Sequence, residues 1–149
     1  MEKVATGISR KSTRGDGIVT VQTLATVTLV VPDYDAGLEF YVDRLGFELV
    51  ENTDLGNGKR WVVVGPEGGA NLLLAEAAND SQLAAIGNQT GGRVGFFPET
   101  DDFVDTHARF VAAGVTFHEE PRHEPYGTVA VFSDPFGNRW DLLERKDKA

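Results

Sequence analysis

Three histidines are the most versatile groups for acid–base or metal chemistry in this chain, which contains no cysteine. His107 falls on the apolar side of a predicted helix, and this position favours packing over catalysis. His118 and His123 lie close together in the sequence with Glu120 between them, a set that could hold a metal ion at the surface. Solvated side chains are the simpler interpretation of that set.

Motifs of known catalytic chemistry are absent from the chain. It has no G-x-S-x-G nucleophile motif, no phosphate-binding P-loop and no G-x-G-x-x-G nucleotide motif. Glycine-rich stretches at 56–58 and 65–69 fall between predicted strands rather than ahead of helices, which is typical of hairpin turns. Any chemistry must therefore depend on residues that the fold brings together.

The first half of the chain predicts one β-α-β-β-β unit. The segment TVTLVV at 26–31 alternates as a strand does. An amphipathic helix follows, with Asp33 or Asp35 as its N-cap and Gly46 at its end. Shorter strands are then predicted at 47–52, 60–65 and 71–76.

The same order of elements returns after a polar connection at 77–91. A shift of 68 residues places Gly46 on Gly114 and Leu74 on Leu142 without a gap. A repeated unit that cannot cover its own sheet predicts two units folding together, within one chain or between two. The second unit is predicted to comprise a strand at 92–97, a helix at 101–114, and strands at 115–120, 128–133 and 139–144.

The predicted fold class is therefore α+β, with two tandem βαβββ modules in one domain. A polar arm at 1–20 precedes a domain at 21–145, in which module one spans 21–77 and module two spans 92–145. At 149 residues the chain has no room for a second large domain.

Charge and hydropathy limit the partners that the chain can have. The net charge is −9 at pH 7, and both termini are basic, so the body is more acidic than the whole. An acidic body disfavours nucleic acid and anionic lipid, and it either aids solubility alone or attracts a cationic ligand. No apolar run approaches the length of a membrane span and no secretory signal pattern is present, which predicts a cytoplasmic protein.

Three segments carry a resemblance to a known family. They are VTLVVPD at 27–33, FYVDRLGFEL at 40–49 and YGTVAVFSDPFGNRWDLLE at 126–144, and together they extend over almost the whole body. In order and spacing they resemble the vicinal oxygen chelate superfamily, which contains glyoxalase I, extradiol dioxygenases, and fosfomycin- and bleomycin-resistance proteins. The resemblance implies a curled mixed-sheet cup with helices on its convex side, and commonly a homodimer, in some cases with modules exchanged between chains.

Metal-dependent members of that superfamily hold their ion with side chains, commonly His or Glu, from the first and last strand of each unit. By resemblance, these positions fall here on Thr26, Leu73, Arg93 and Asp141. Threonine is at best a weak ligand, leucine has no donor atom, and the permanent charge of arginine repels a divalent ion. We therefore expect neither a metal nor another cofactor.

The same four positions suggest an ion pair on the cup floor. Arg93 and Asp141 would pair there, either to fill a degenerate site or to present Arg93 to a ligand oxygen, and the arginine would lower the pKa of Asp141. Strand alternation places Trp140, Leu142 and Phe96 on the helix side. The predicted lining residues are Phe97, Trp61 and Phe132.

The resulting hypothesis is metal-free binding of a small molecule, similar to the bleomycin-resistance proteins, with no assigned catalytic residue. The alternative is a glyoxalase-like lyase or isomerase, or a dioxygenase-like enzyme, with an atypical site. An accessory subunit with a vestigial cup is a third alternative.

Overall fold

The structure is a computed structural model, and it describes residues 12–14 and 17–146. A two-stranded antiparallel ribbon, β1 (Ser12–Arg14) and β2 (Gly17–Val19), lies in the segment predicted as a polar arm. Residues 1–11, 15 and 16 of that arm lie outside the described residues.

The first module follows the predicted order of one helix and four strands. Its sheet has the strand order β3-β6-β5-β4, and only β3 and β6 run parallel. The helix between β3 and β4 begins with α1 and continues as a π-helical segment. The elements are β3 (Thr26–Val31), α1 (Tyr34–Leu38), the π-helical segment (Glu39–Arg44), β4 (Glu48–Gly56), β5 (Lys59–Gly65) and β6 (Asn71–Glu76).

The second module repeats this arrangement after a connection that contains α2. Its sheet has the order β7-β11-β10-β8, and β9 also pairs with β10. Only β7 and β11 run parallel, as β3 and β6 do. The elements are α2 (Asp80–Ala85), β7 (Val94–Phe96), α3 (Phe103–Ala112), β8 (Thr116–Phe117), β9 (Arg122–Glu124), β10 (Gly127–Ser133) and β11 (Arg139–Arg145). The predicted α+β class with two repeated units is confirmed.

Helix starts follow the predicted capping chemistry. Asp33, rather than Asp35, caps α1 by accepting the backbone N–H of Ala36 at 2.7 Å. Asp102 caps α3 in the same way through the N–H of Asp105. After α1, the chain continues as the π-helical segment. This segment ends where the N–H of Leu45 donates to the carbonyl of Phe40, five residues earlier.

Two of the local features that differ from the sequence prediction have a clear physical cause. The connection at 77–91 contains the one-turn helix α2, capped by Asn79 and too short to show a periodic pattern. The strand predicted at 115–120 is only two residues long, because the side chain of Glu119 replaces the backbone by accepting from the N–H of Val131 at 2.9 Å.

One hydrophobic core joins the two modules. Tyr41, fully buried in the π-helical segment, packs on Trp140 of β11 with ring centroids 5.6 Å apart. Trp140 and Leu142 both belong to the core cluster that contains Tyr41 of the helical segment, as predicted for the helix side. Because both sheets contribute their helix-side faces to this core, their opposite faces point outward, away from each other.

None of the helices in the described part of the chain is long and apolar enough to cross a membrane. The cytoplasmic location stays a prediction.

Candidate functional site

The face of each sheet that is turned away from the helices is called the open face below. In the first sheet, side-chain alternation sends Val62, Val64, Leu72 and Leu74 into the core. The residues between them point to the other side of the sheet. This open face carries Thr28, Val30, Trp61, Val63, Leu73 and Ala75.

A groove of about 610 Å³ lies on this open face and is called the first groove. Its floor is apolar, and the side chain of Trp61 remains 42% exposed. Polar groups stand at its rim, among them Lys59, Arg60 and Gln82. The groove can therefore accommodate a flat apolar molecule with polar substituents.

The strand register changes one predicted position in this groove. In the parallel pair, Thr28 lies opposite Leu73, whereas Thr26 lies opposite Asn71. Thr28 and Leu73 line the first groove and Thr26 does not. By alternation Thr26 shares this face, two residues before Thr28 on β3, and its part in a site stays a prediction.

The open face of the second sheet carries Asp141, which pairs with Val131 of the adjacent strand. Val129 and Leu143, next along the same face, are buried. One carboxylate oxygen of Asp141, Oδ1, is buried without a hydrogen-bond partner among the described residues. Burial raises the pKa of Asp141 above its ordinary value, Arg122 partly opposes this, and Glu119 adds to it.

The guanidinium of Arg122 is the cation that partly lowers the pKa of Asp141, but its N–H groups donate to two other carboxylates. Its Nε donates to Glu119 at 3.0 Å and its NH1 to Glu124 at 2.6 Å. Both pairs are partly exposed, so we expect them to orient the arginine more than they stabilise the fold. The E-x-x-R-x-E spacing of these residues was the signal in the sequence that could have indicated them.

The ion pair predicted between Arg93 and Asp141 is wrong. Val94 lies opposite Arg139, and Phe96 lies opposite Trp140. Two steps along β7 therefore correspond to one step along β11, as in a β-bulge. Arg93 therefore precedes the paired stretch, while Asp141 lies beyond its far end. Arg93 is exposed and joins none of the ion pairs found in the described part of the chain. The expected lowering of the pKa of Asp141 is wrong as well, because burial outweighs the one nearby cation.

Two predicted lining residues lie elsewhere. Phe132 is fully buried against Phe110 and Trp140 on the helix side, so it cannot line an open face. Phe97 is 61% exposed and lines a separate groove of about 740 Å³ between the modules on their helix sides. Of the predicted set, Trp61 and Leu73 lie together on one open face and Asp141 on the other.

Each of the three histidines contacts an aromatic ring or a hydroxyl group of the protein. His107 packs between Phe103 and Phe117, as predicted for a residue on the apolar stripe. His118 shares a hydrogen bond with Ser133, and His123 lies 3.3 Å from Thr128.

The residues at the four positions that the resemblance suggests do not fit a divalent metal ion. Leucine offers no donor atom, Arg93 is cationic and away from the others, and Asp141 supplies one carboxylate. In the described residues, no group of three or more His, Asp or Glu side chains is arranged to hold a metal. A site of this family type would need several such ligands around one ion.

Comparison with known proteins agrees with this architecture. A family described as the Glyoxalase/Bleomycin resistance protein/Dioxygenase superfamily matches residues 23–142. An uncharacterized protein of Shewanella frigidimarina (strain NCIMB 400) is 48% identical over 130 residues, which cover 85% of this chain and 96% of the relative.

Solved structures give the same result. The crystal structure of UcmS2 superposes with a TM-score of 0.72 at 30% identity, covering 83% of this chain and 98% of that one. TnmS3, an antibiotic binding protein from Streptomyces sp. CB03234, superposes with a TM-score of 0.69 at 28% identity, covering 86% of this chain and 99% of its own.

Proposed function

Because the chain belongs to the glyoxalase/bleomycin resistance protein/dioxygenase superfamily, we propose that it binds a small organic molecule on its open faces without a metal ion. The observation that carries this proposal is Trp61, a large aromatic side chain left 42% exposed above an apolar groove. An exposed aromatic surface inside a groove is typical of a binding site. The antibiotic-binding activity of TnmS3, a relative at 28% identity, supports the same class of function.

The first groove supplies the apolar part of such a site. Trp61 offers a flat face for stacking, and Leu73 and Val30 complete the floor beside it. Stacking on an aromatic side chain contributes about 0.5–1.5 kcal/mol beyond the area that it buries. An aromatic or polycyclic ligand fits this surface better than a small hydrophilic metabolite.

A homodimer would complete the site. Each open face points outward from the shared core, so the two open faces of one chain do not enclose a common space. The first open face of one chain and the second open face of another could enclose one together, and two-fold symmetry would make two such cups. We propose this arrangement, in which Trp61 and Asp141 of different chains line the same cup.

The raised pKa of Asp141 favours one enzymatic alternative, a lyase or isomerase that moves a proton. A carboxylate destabilised by burial is a better base than an exposed one. This alternative predicts substrate turnover that Asp141→Asn abolishes, whereas a binding protein returns its ligand unchanged. Chromatography of the ligand after prolonged incubation with the protein distinguishes the two.

The test of the binding function uses acridine, a flat aromatic base that is neutral at pH 7.5, and its cationic derivative 9-aminoacridine. We expect both to bind, and Trp61→Ala to weaken both by about tenfold in isothermal titration calorimetry, since it removes the stacking surface. Val104→Ala is the matched control, because Val104 is 79% exposed on the outer side of α3. Absence of binding by either probe, or affinities unchanged by Trp61→Ala, would contradict the proposal.

A further inference from the structure

We propose that Ser133 and His118 form a nucleophile–base pair on the second open face, and that the chain hydrolyses small carboxylic esters there. This activity goes beyond the proposed binding function, and neither residue lines the first groove. The sequence shows no catalytic serine motif, and the two residues are 15 positions apart in the chain. The antiparallel pairing of β8 with β10 brings them together.

Strand alternation turns both side chains to the second open face. Phe132 and Phe117 lie opposite each other and pack together on the helix side. The residues that follow them, Ser133 and His118, therefore point the other way. Ser133 is half-buried and His118 is exposed, so a small molecule can reach the pair without a change in the fold.

The two side chains already share the hydrogen bond that a serine nucleophile needs. Nε2 of the His118 ring is bonded to Oγ of Ser133. In the tautomer that carries its proton on Nδ1, Nε2 accepts the serine O–H and can take its proton as Oγ attacks. A general base in such a position contributes about 10²–10⁴-fold to the rate.

The backbone of Val131 holds His118 in place. The N–H of His118 donates to the Val131 carbonyl at 2.9 Å, and the carboxylate of Glu119 accepts the N–H of Val131 at 2.9 Å. Nε of Arg122 in turn donates to Glu119 at 3.0 Å. These bonds fix the histidine although β8 is only two residues long, so Glu119 and Arg122 are positioning residues.

A cation lies on the other side of the serine. Ser133 lies opposite Arg139 of β11, and directly opposed residues have Cβ atoms about 4.5–5.5 Å apart. Trp140 next to it belongs to the core, so Arg139 shares the open face with Ser133. Arg139 is exposed and joins none of the ion pairs found in the described part of the chain. Its guanidinium is therefore available to stabilise the negative charge that develops on an ester carbonyl oxygen.

The reaction needs water as its only co-reactant. Oγ of Ser133 bonds to the carbonyl carbon and its proton moves to Nε2 of His118. The ester C–O bond then breaks, and the alcohol leaves with that electron pair and with the proton from Nε2. Water next attacks the acyl-serine, His118 carries its proton to Oγ, and the carboxylic acid leaves with Ser133 restored.

The test uses p-nitrophenyl acetate, the release of p-nitrophenolate and the mass of the protein. We expect a burst of about one p-nitrophenolate per chain and an acetyl group on Ser133 in the digested protein. Ser133→Ala, and His118→Gln, which cannot take the proton, should each lower kcat/KM by roughly a hundredfold or more. Arg139→Gln should lower kcat by roughly tenfold with little change in KM, less than for a donor in a closed site, because Arg139 is exposed.

Matched controls remove the same groups elsewhere. His123 forms the other histidine–hydroxyl pair, 3.3 Å from Thr128, and His123→Gln should leave the rate unchanged. Ser81→Ala removes an exposed serine of α2 and should have no effect either. Labelling of the wild type with diisopropyl fluorophosphate needs no variant and should modify Ser133 but not Ser81.

Three results would overturn the inference. They are hydrolysis no faster than in buffer, an acetyl group on amino groups instead of Ser133, and a Ser133→Ala variant as fast as the wild type, in which the imidazole acts alone. If a variant has a lower melting temperature, the labelling of wild-type Ser133 decides instead, and no label contradicts the pair. Acridine titration is a separate measurement, so the binding function stands or fails independently of these results.

Discussion

Tyr41 extends from the first module to Asp134 in the second, where six donors converge on one buried carboxylate. The Oδ1 atom of Asp134 accepts the N–H groups of Phe136, Gly137 and Asn138. Its Oδ2 accepts the Tyr41 hydroxyl, the Asn138 amide and the Trp140 indole. The turn after β10 and the junction between modules thus depend on the same side chain.

Tyr41→Phe should lower the free energy of unfolding by about 1–3 kcal/mol, because it removes one hydrogen bond to a buried charge. Urea denaturation at pH 7 measures this. Tyr126→Phe, at a 52% exposed position, is the control and should have little effect.

The same hydroxyl makes stability depend on alkaline pH. Burial, and next the charge of Asp134, raise the pKa of Tyr41 well above its ordinary value. The unfolded chain loses this proton near pH 10 while the folded chain keeps it, so stability falls above about pH 10. The stability of the Tyr41→Phe variant should decrease less above pH 10 than that of the wild type. If stability depended on alkaline pH identically in both proteins, the Tyr41 hydroxyl would not be its cause.

At single residues, the sequence predicted some of the site and missed the rest for definable reasons. Leu73 and Asp141 lie on open faces, and their alternation could be counted from the predicted floor positions; Trp61 also lies on an open face, but the sequence did not fix its face. Arg93 does not pair with Asp141, because it precedes the paired part of β7 and a register shift follows, which no local pattern in the sequence indicates. Arg122 was missed because β10 lies between its strand and β11, which carries Asp141.

At the scale of elements, the exposed edge of β3 is closed by one side chain. Gln89 accepts the N–H of Val30 at 3.0 Å and donates to the carbonyl of Thr28 at 2.7 Å. It therefore occupies the two backbone groups that another strand would use for pairing. β3 is the outer strand of its sheet, so this contact also fixes the connection between the modules.

Gln89→Ala should free that edge. We expect the Val30 amide to lose protection from hydrogen exchange and the protein to aggregate more readily at high concentration. Gln82→Ala is the control, since the side chain of Gln82 accepts a hydrogen bond from the N–H of Ala78 four residues away and bonds to no strand among the described residues. Equal protection of Val30 in wild type and Gln89→Ala would show that the edge is closed by something else.

The elements themselves could be predicted where the pattern was long and regular. Helix α3 and strands β3, β5, β10 and β11 agree with their predicted positions to within about two residues, the usual uncertainty of boundaries. The two-residue strand β8 could not, because a tertiary contact of Glu119 limits it, and the six-residue helix α2 could not, because it is too short for a periodic pattern and buries no side chain.

At the scale of the whole molecule, the repeat predicts two modules but not which faces meet. That choice depends on long-range contacts such as Tyr41 on Trp140. The structure joins the helix sides, so the account requires a second chain to enclose each cup.

Hybrid dimers test this central claim most directly. One chain carries Trp61→Ala, and the other carries Val131→Trp, which fills the second open face beside Asp141. Each is expected to bind 9-aminoacridine weakly alone, and the two are co-expressed with different tags and titrated together. If each cup takes Trp61 from one chain and the second open face from the other, hybrids contain one intact cup, and about a quarter of all sites recover wild-type affinity under random pairing. If mixed samples that contain hybrids bind no better than the separate variants, the two open faces do not meet across a dimer and the account is contradicted.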